Sequence, residues 1–266
     1  MRIYLSVVLP AALLAVFQFT PVIRHTFRLY HRIAGYNIIL LITCGNAGAI
    51  MVSIHAMGGD LPTQTFVGFL TLVTTCTFDL AVFNIKRLQI GQHRAWMLRT
   101  WFYLGFIVTL RIIQTIVAAI ISLWPAATRY DVMDCAELAF IYHNSTALYT
   151  QFPACQPSNK VFAPDGQVVV KAHLAGAAGP NNAALEVSFA MAGFLALILH
   201  AVGVELYLRL TPRESERLRM VSYERQLERG MKNPGSAGLV VERFGDADVW
   251  VPRSFSVEGG ESEVSK

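Results

Sequence analysis

Residues 100–124, TWFYLGFIVTLRIIQTIVAAIISLW, hold one charged side chain, Arg111, in 25 positions. A helix rises about 1.5 Å per residue, so this stretch is long enough to cross the ~30 Å hydrocarbon layer of a bilayer. Four further stretches read the same way: 3–23, 33–57, 64–84 and 186–209. The fold class expected is all-α, a five-span transmembrane helix bundle occupying residues 1–209. With 54% hydrophobic and 15% charged residues, the chain is far more apolar than a soluble domain, which averages about 25% charged. Residues 1–130 contain only two acidic side chains, Asp60 and Asp79, so the net charge of +4 reflects topology. No basic stripe interleaved with aromatics offers a stacking surface, which sets nucleic acid aside as a partner.

The first stretch could be mistaken for a signal peptide, but its arginines, Arg24, Arg28 and Arg32, follow it instead of preceding it. It reads as a retained helix kinked at Pro10. Basic residues then alternate by loop. Arg24, Arg28 and Arg32 follow span one, Lys86, Arg87, Arg94 and Arg99 follow span three, and Arg209, Arg213, Arg217, Arg219 and Arg225 follow span five. By the positive-inside rule these loops are cytosolic. The amino terminus is then outside or lumenal and the carboxyl terminus cytosolic, in a plasma or internal membrane.

The long connection, residues 125–185, supports that sidedness. It holds Cys135 and Cys155, an even pair suited to a disulfide in an oxidising compartment. It also holds Asn144-Ser145-Thr146, an N-glycosylation triplet with Asn144 as acceptor. A short amphipathic helix is expected over 131–143, a strand over 167–174 and a flexible linker over 176–182, together forming a disulfide-pinned cap. Beyond span five, Thr211-Pro212-Arg213-Glu214 has the pattern of a capping box, giving a helix over 210–230 that stops at Gly230. Residues 231–266 read as a mostly disordered tail, apart from a docked patch near 249–255.

Three runs resemble a known family: His31-Arg32-Ile33-Ala34-Gly35-Tyr36, the stretch GQHRAWMLRTW ending at Trp101, and Arg111-Ile112-Ile113. They are similar to the DUF2306 group of predicted membrane proteins. The run from His200 to Arg209, Leu210-Thr211-Pro212, and Tyr223-Glu224-Arg225-Gln226-Leu227-Glu228 look like its filamentous-fungal branch. Members often have one more hydrophobic helix ahead of the first span. The resemblance implies architecture and no mechanism.

Ionisable groups within lipid are costly and mark places to look for function. Counting from the cytosolic ends, Asp79 stands about 8 Å deep, Glu205 about 6 Å, His200 about 14 Å and Arg111 about 17 Å. The arginine is long enough to reach toward the others. Asp79, Arg111, His200 and Glu205, with Asn46 and Gln114 as polar lining, are therefore expected to converge on a site for a small-molecule ligand. The competing reading is that Arg111 and Asp79 neutralise each other and lock two spans together.

Two other chemistries stay open. Haem b held between paired histidines is one, and the pair at matching depth is His31 and His93; His55 and His200 are separated by roughly 20 Å along the normal. An embedded enzyme using Asp79 or Glu205 as a general acid is the other. No metal-ligand spacing, nucleophile elbow or internal repeat is present, so neither a metal centre nor a conventional transporter is expected. Gly45 and Ala49 form a small-xxx-small face suited to packing in the bundle or to a homo-oligomer.

Overall fold

The computed structural model describes residues 2–20, 26–157, 166–174, 176–245 and 247–252. The chain is mainly helical: α1 (Arg2–Phe19), α2 (Arg28–Ser53), α3 (Leu61–Lys86), α4 (Ile90–Leu104), α5 (Phe106–Leu123), then β1 (Tyr130–Asp134), α6 (Cys135–Tyr142), α7 (Ser145–Gln151), β2 (Gln167–Lys171), α8 (Ala178–Leu210) and α9 (Pro212–Glu228). Among the described residues four apolar stretches, against the five expected, are long enough to cross a membrane: Leu29–Ser53, Leu61–Lys86, Ile90–Leu123 and Ala178–Leu210. The first helix contributes a shorter apolar stretch, Ser6–Gln18, with Pro10 inside it. Residues 21–23 of the expected first span lie outside the described residues.

Two boundaries differ from those read in the sequence. The span expected as the fourth begins at Ile90 instead of residue 100, because Arg94 and Arg99 ride on the helix and need not sit in a loop. The fifth begins at Ala178, so the stretch expected as linker is the first turns of a 33-residue helix. At about 1.5 Å per residue that helix is roughly 50 Å long and must extend past a ~30 Å layer.

The chain divides into two compact units. The first comprises Met1–Phe78 and Arg99–Glu205. Its helices turn large apolar side chains outward, with Leu9, Leu13, Leu40, Met51, Leu72 and Ile112 all exposed. Small and polar side chains face inward: Thr63, Thr74, Thr77 and Thr100 are buried with Ala190, Ala192 and Ala196. This inversion suits a lipid solvent, where close packing and interhelical hydrogen bonds replace the hydrophobic drive. Thr100 Oγ1 donates to Thr77 Oγ1 at 2.9 Å, joining α4 to α3. A Cβ at Gly193 would come within 2.7 Å of the Phe66 ring, so glycine there admits an aromatic knot of Phe66, Phe106, Phe189 and Phe194. Gly45 faces α1, where its added Cβ would meet Val8 at 3.1 Å.

Residues 124–185 form a loop module on that unit. Of the helix expected over 131–143, α6 forms over Cys135–Tyr142, while the residues ahead of it are a strand: β1 pairs antiparallel with β2, Val132 opposite Val169. The expected disulfide is present between Cys135 and Cys155. Met133, Leu138, Leu148 and Val170 pack around it with Ala183 and Ala184 of α8. With a sequence separation of 20, the crosslink should stabilise the module by about 3 kcal/mol on the chain-entropy model. Changing both cysteines to serine should lower the unfolding midpoint by several degrees, and reductant should then have no further effect.

The second unit comprises Asp79–Leu98 and Leu206–Lys266. Thr211 makes no side-chain cap; its hydroxyl donates back to the Tyr207 carbonyl at 3.0 Å and Glu214 pairs with Arg217 instead. Trp250, in the patch expected to dock near 249–255, packs on Tyr223, and the backbone at Gly235 and Leu239 is docked as well, where composition suggested disorder. Gln226 explains why: its Oε1 accepts from Gly235 N–H at 2.7 Å and its Nε2 donates to the Arg87 carbonyl at 3.1 Å. Asn84 Oδ1 accepts from Leu239 N–H at 2.9 Å, and a Cβ at Gly238 would stand 2.8 Å from that oxygen. Trp250 packs edge-on to Tyr223 beneath Arg219, which pairs with Glu242. Gln226→Leu would leave the buried Gly235 N–H unpaired, at a cost of about 1–3 kcal/mol, and release the part-buried Arg87 carbonyl. Limited proteolysis should then cut within 231–252 at least tenfold faster than in the parent.

Candidate functional site

The helix carrying Arg111 is interrupted at Gly105, between α4 and α5. Gly105 N–H still bonds to the Trp101 carbonyl at 2.9 Å, but the next carbonyl, Phe102, bonds to His200 Nδ1 at 2.8 Å. A carbonyl only accepts, so Nδ1 is the protonated nitrogen, and His200 Nε2 then accepts from the Thr109 hydroxyl at 2.9 Å. Both ring nitrogens of His200 are therefore spent on closing a helix break. A sharp interruption needs such a replacement for its lost ladder bonds.

Two turns past the break stands Arg111, exposed on α5. Its Nη1 donates to Gln114 Oε1 at 2.9 Å, and its guanidinium carbon lies 5.9 Å from the centre of the Phe189 ring. Gln114 is 1% exposed and is fixed in turn, since its Nε2 donates to the Leu185 carbonyl at 2.9 Å. Leu185 and Phe189 are one turn apart on α8, so one helix supplies both the anchor of the amide and the face beneath the cation. Arg111 forms no ion pair among the described residues. A guanidinium has five N–H donors, and the described residues engage one of them.

Of the six residues expected to converge, Arg111 and Gln114 are joined directly. Glu205 takes Arg99 instead, in a two-point pair with Nε–Oε1 at 2.6 Å and Nη2–Oε2 at 3.0 Å. His200 serves the helix break. Asn46 Nδ2 donates to Thr74 Oγ1 at 3.1 Å and Thr75 Oγ1 at 3.0 Å. Asp79 is exposed and forms no ion pair among the described residues. His93 Nδ1 bonds to the Ala81 carbonyl at 2.9 Å, and His31 stands near the start of α2. Asn144 is exposed; its Oδ1 caps α7 by accepting from Thr146 N–H at 2.9 Å, which leaves its amide nitrogen without a partner among the described residues.

One group escaped the sequence reading. Glu186 of α8, 5% exposed, stands with Glu137 of α6 and Asp131 of β1, and Asn182 bonds both glutamates. The one available signal was the Asn182–Glu186 spacing, four residues apart and hence on one helix face. It was hidden because residues 176–182 read as linker.

Four apolar helices, packed through small and polar side chains, define a multi-pass membrane protein. The chain belongs to the DUF2306 family of predicted membrane proteins, whose family model matches residues 1–142. That match contains Arg111 and Gln114 and ends within the loop module. Neither the curated proteins nor the solved structures yielded a match.

Proposed function

We propose that this membrane protein binds a small anionic molecule at Arg111, between α5 and α8, and that it holds or passes that molecule within the bilayer. The observation supporting this reading is a cation in the middle of an apolar span that the protein orients without neutralising. Gln114 and Phe189 set the plane of the guanidinium, and the remaining donors are left to a ligand. An arginine at the centre of a span costs about 2.5–3.5 kcal/mol on insertion scales. A carboxylate or phosphate oxygen pair on the free edge of the guanidinium offsets that cost through two charge-assisted hydrogen bonds. The alternating basic loops favour an orientation with the amino terminus outside or lumenal and the carboxyl terminus cytosolic.

The test is a series of amphiphiles of one chain length, differing only in headgroup, added to the protein in nanodiscs. A carboxylate and a phosphate monoester should raise the unfolding midpoint by about 2–5 °C near ten times their Kd. The matching alcohol and amine should leave it unchanged. Equal shifts from all four would mean that the molecule binds through its chain, and the reading fails.

A further inference from the structure

The turn between α2 and α3 closes over the Glu186 carboxyl. Glu186 Oε1 accepts from Asn182 Nδ2 at 2.6 Å, and the same amide nitrogen reaches Glu137 Oε1 at 3.4 Å. Glu186 Oε2 is buried and has no donor among the described residues. Above it, a Cβ at Gly58 would lie 3.3 Å from Oε2. The turn is held in one shape: Met57, Gly58 and Gly59 all have positive φ, and a Cβ at Gly59 would lie 2.1 Å from the Ile54 carbonyl oxygen. It fits over Glu186 as a fixed cover.

The Glu186 carboxyl is within hydrogen-bonding reach of both Glu137 and Asp131. Two carboxylates bond to each other only when one of them carries a proton. The charges acting on Glu186 are acidic, Asp131 from β1 and Glu137 from α6, and Asp60, from the turn, acts on Asp131. The helix of Glu186 offers the neutral Asn182. The basic residues flanking this sheet, Arg129 before β1 and Lys171 of β2, make no ion pair among the described residues. Asp60 is occupied as well, accepting from Thr63 N–H at 3.0 Å.

We propose that Glu186 shares one bound proton with Glu137 and Asp131, and that this proton fastens the α2–α3 turn and the loop module to the end of α8. Without it, three carboxylates meet around the buried Glu186 with no paired cation among the described residues, and the turn is driven off. The end of the bundle carrying the loop module therefore closes in acid and loosens in alkali. Asp131 shows the same direction, its carboxyl pushed above the ordinary range first by burial, against the hydrogen bond from Val132 N–H. A carboxyl raised in the folded state contributes stability that is complete below its unfolded value, about 4, and is lost as pH rises through the folded value.

This inference stands apart from the Arg111 site. The experiment is the unfolding midpoint of the full chain in nanodiscs between pH 5 and pH 9, for the parent, Glu186→Gln and Glu137→Gln. The parent should lose about 5 °C or more across that range. In Glu186→Gln the amide is a permanent donor, so the profile should lose most of its slope and lie above the parent at pH 9. Glu137→Gln, which removes one of the competing charges, should flatten the profile part of the way. A flat parent profile overturns the proposal, and so does a Glu186→Gln profile that keeps the parent slope at any height. If Glu186→Gln does not accumulate, an unchanged slope in Glu137→Gln overturns it equally.

Discussion

Arg111→Gln is expected to abolish the anion-dependent rise in the unfolding midpoint while leaving the ligand-free protein as stable as the parent or more so. Two effects of opposite sign combine in that result. The substitution removes a charge that costs about 2.5–3.5 kcal/mol at the centre of a span. It also removes two charge-assisted hydrogen bonds worth about 1.5–3 kcal/mol each, so affinity should fall by roughly 100-fold or more, or beyond detection. Arg111→Lys should retain the charge and lose the two-point geometry, giving an intermediate Kd. Gln114→Leu leaves the guanidinium unguided and should weaken binding several-fold without reversing its preference for anions. A purely structural arginine would behave in the opposite way, since its removal would lower the ligand-free midpoint.

The second large effect is expected at the aromatic knot. Phe66 is 1% exposed, touches three other phenylalanines and fits against Gly193. Phe66→Ala removes that ring from a site with little means of collapse, which typically costs about 3–5 kcal/mol. Gly193→Leu attacks the same contact from the other side by forcing α8 away from α3, and overpacking of this kind costs about 1–3 kcal/mol or more. Both variants should lower the unfolding midpoint by around 5 °C or more, and should leave any folded fraction with its parent anion preference. Combined, they should cost less than the sum of the two, because the smaller side chain at 66 makes room for the larger one at 193.

The spans were legible because a fixed hydrocarbon thickness demands long apolar runs, and such runs cannot be hidden in a sequence. Their ends were less so. Arg94 and Arg99 read as loop residues by charge, yet a helix can carry them while their long stems lie along apolar surface. That misplacement had a consequence at the site: Arg99, once helical, takes Glu205, and Glu205 is no longer available to Arg111. His200 was found by its depth, but its use was not, because the break at Gly105 that frees the Phe102 carbonyl leaves no mark beyond a single glycine. Gln114 was legible as the polar neighbour of Arg111 three residues on, within reach on one helix face.

In the loop module the cysteine pair was readable from compartment chemistry, whereas β1 was taken for helix because five residues are too few to separate the two periods. The docked tail was hidden by composition. Gly235 and Gly238 read as disorder, and they prove to be the residues whose positive φ lets the backbone approach Gln226 and Asn84. Polar side chains serving a distant backbone have no sequence period. Asn84, Gln89 and Gln226 are buried for that purpose, and no pattern along the chain announces it.

The central claim is that Arg111 is a cation held ready for an anion. Mass spectrometry of molecules retained by the protein after purification in mild detergent tests it most directly, with the parent and Arg111→Gln prepared side by side. The account predicts an anionic species bound near one-to-one in the parent and lost from Arg111→Gln. The same species at the same occupancy in both proteins, or retention of neutral species alone, would contradict it.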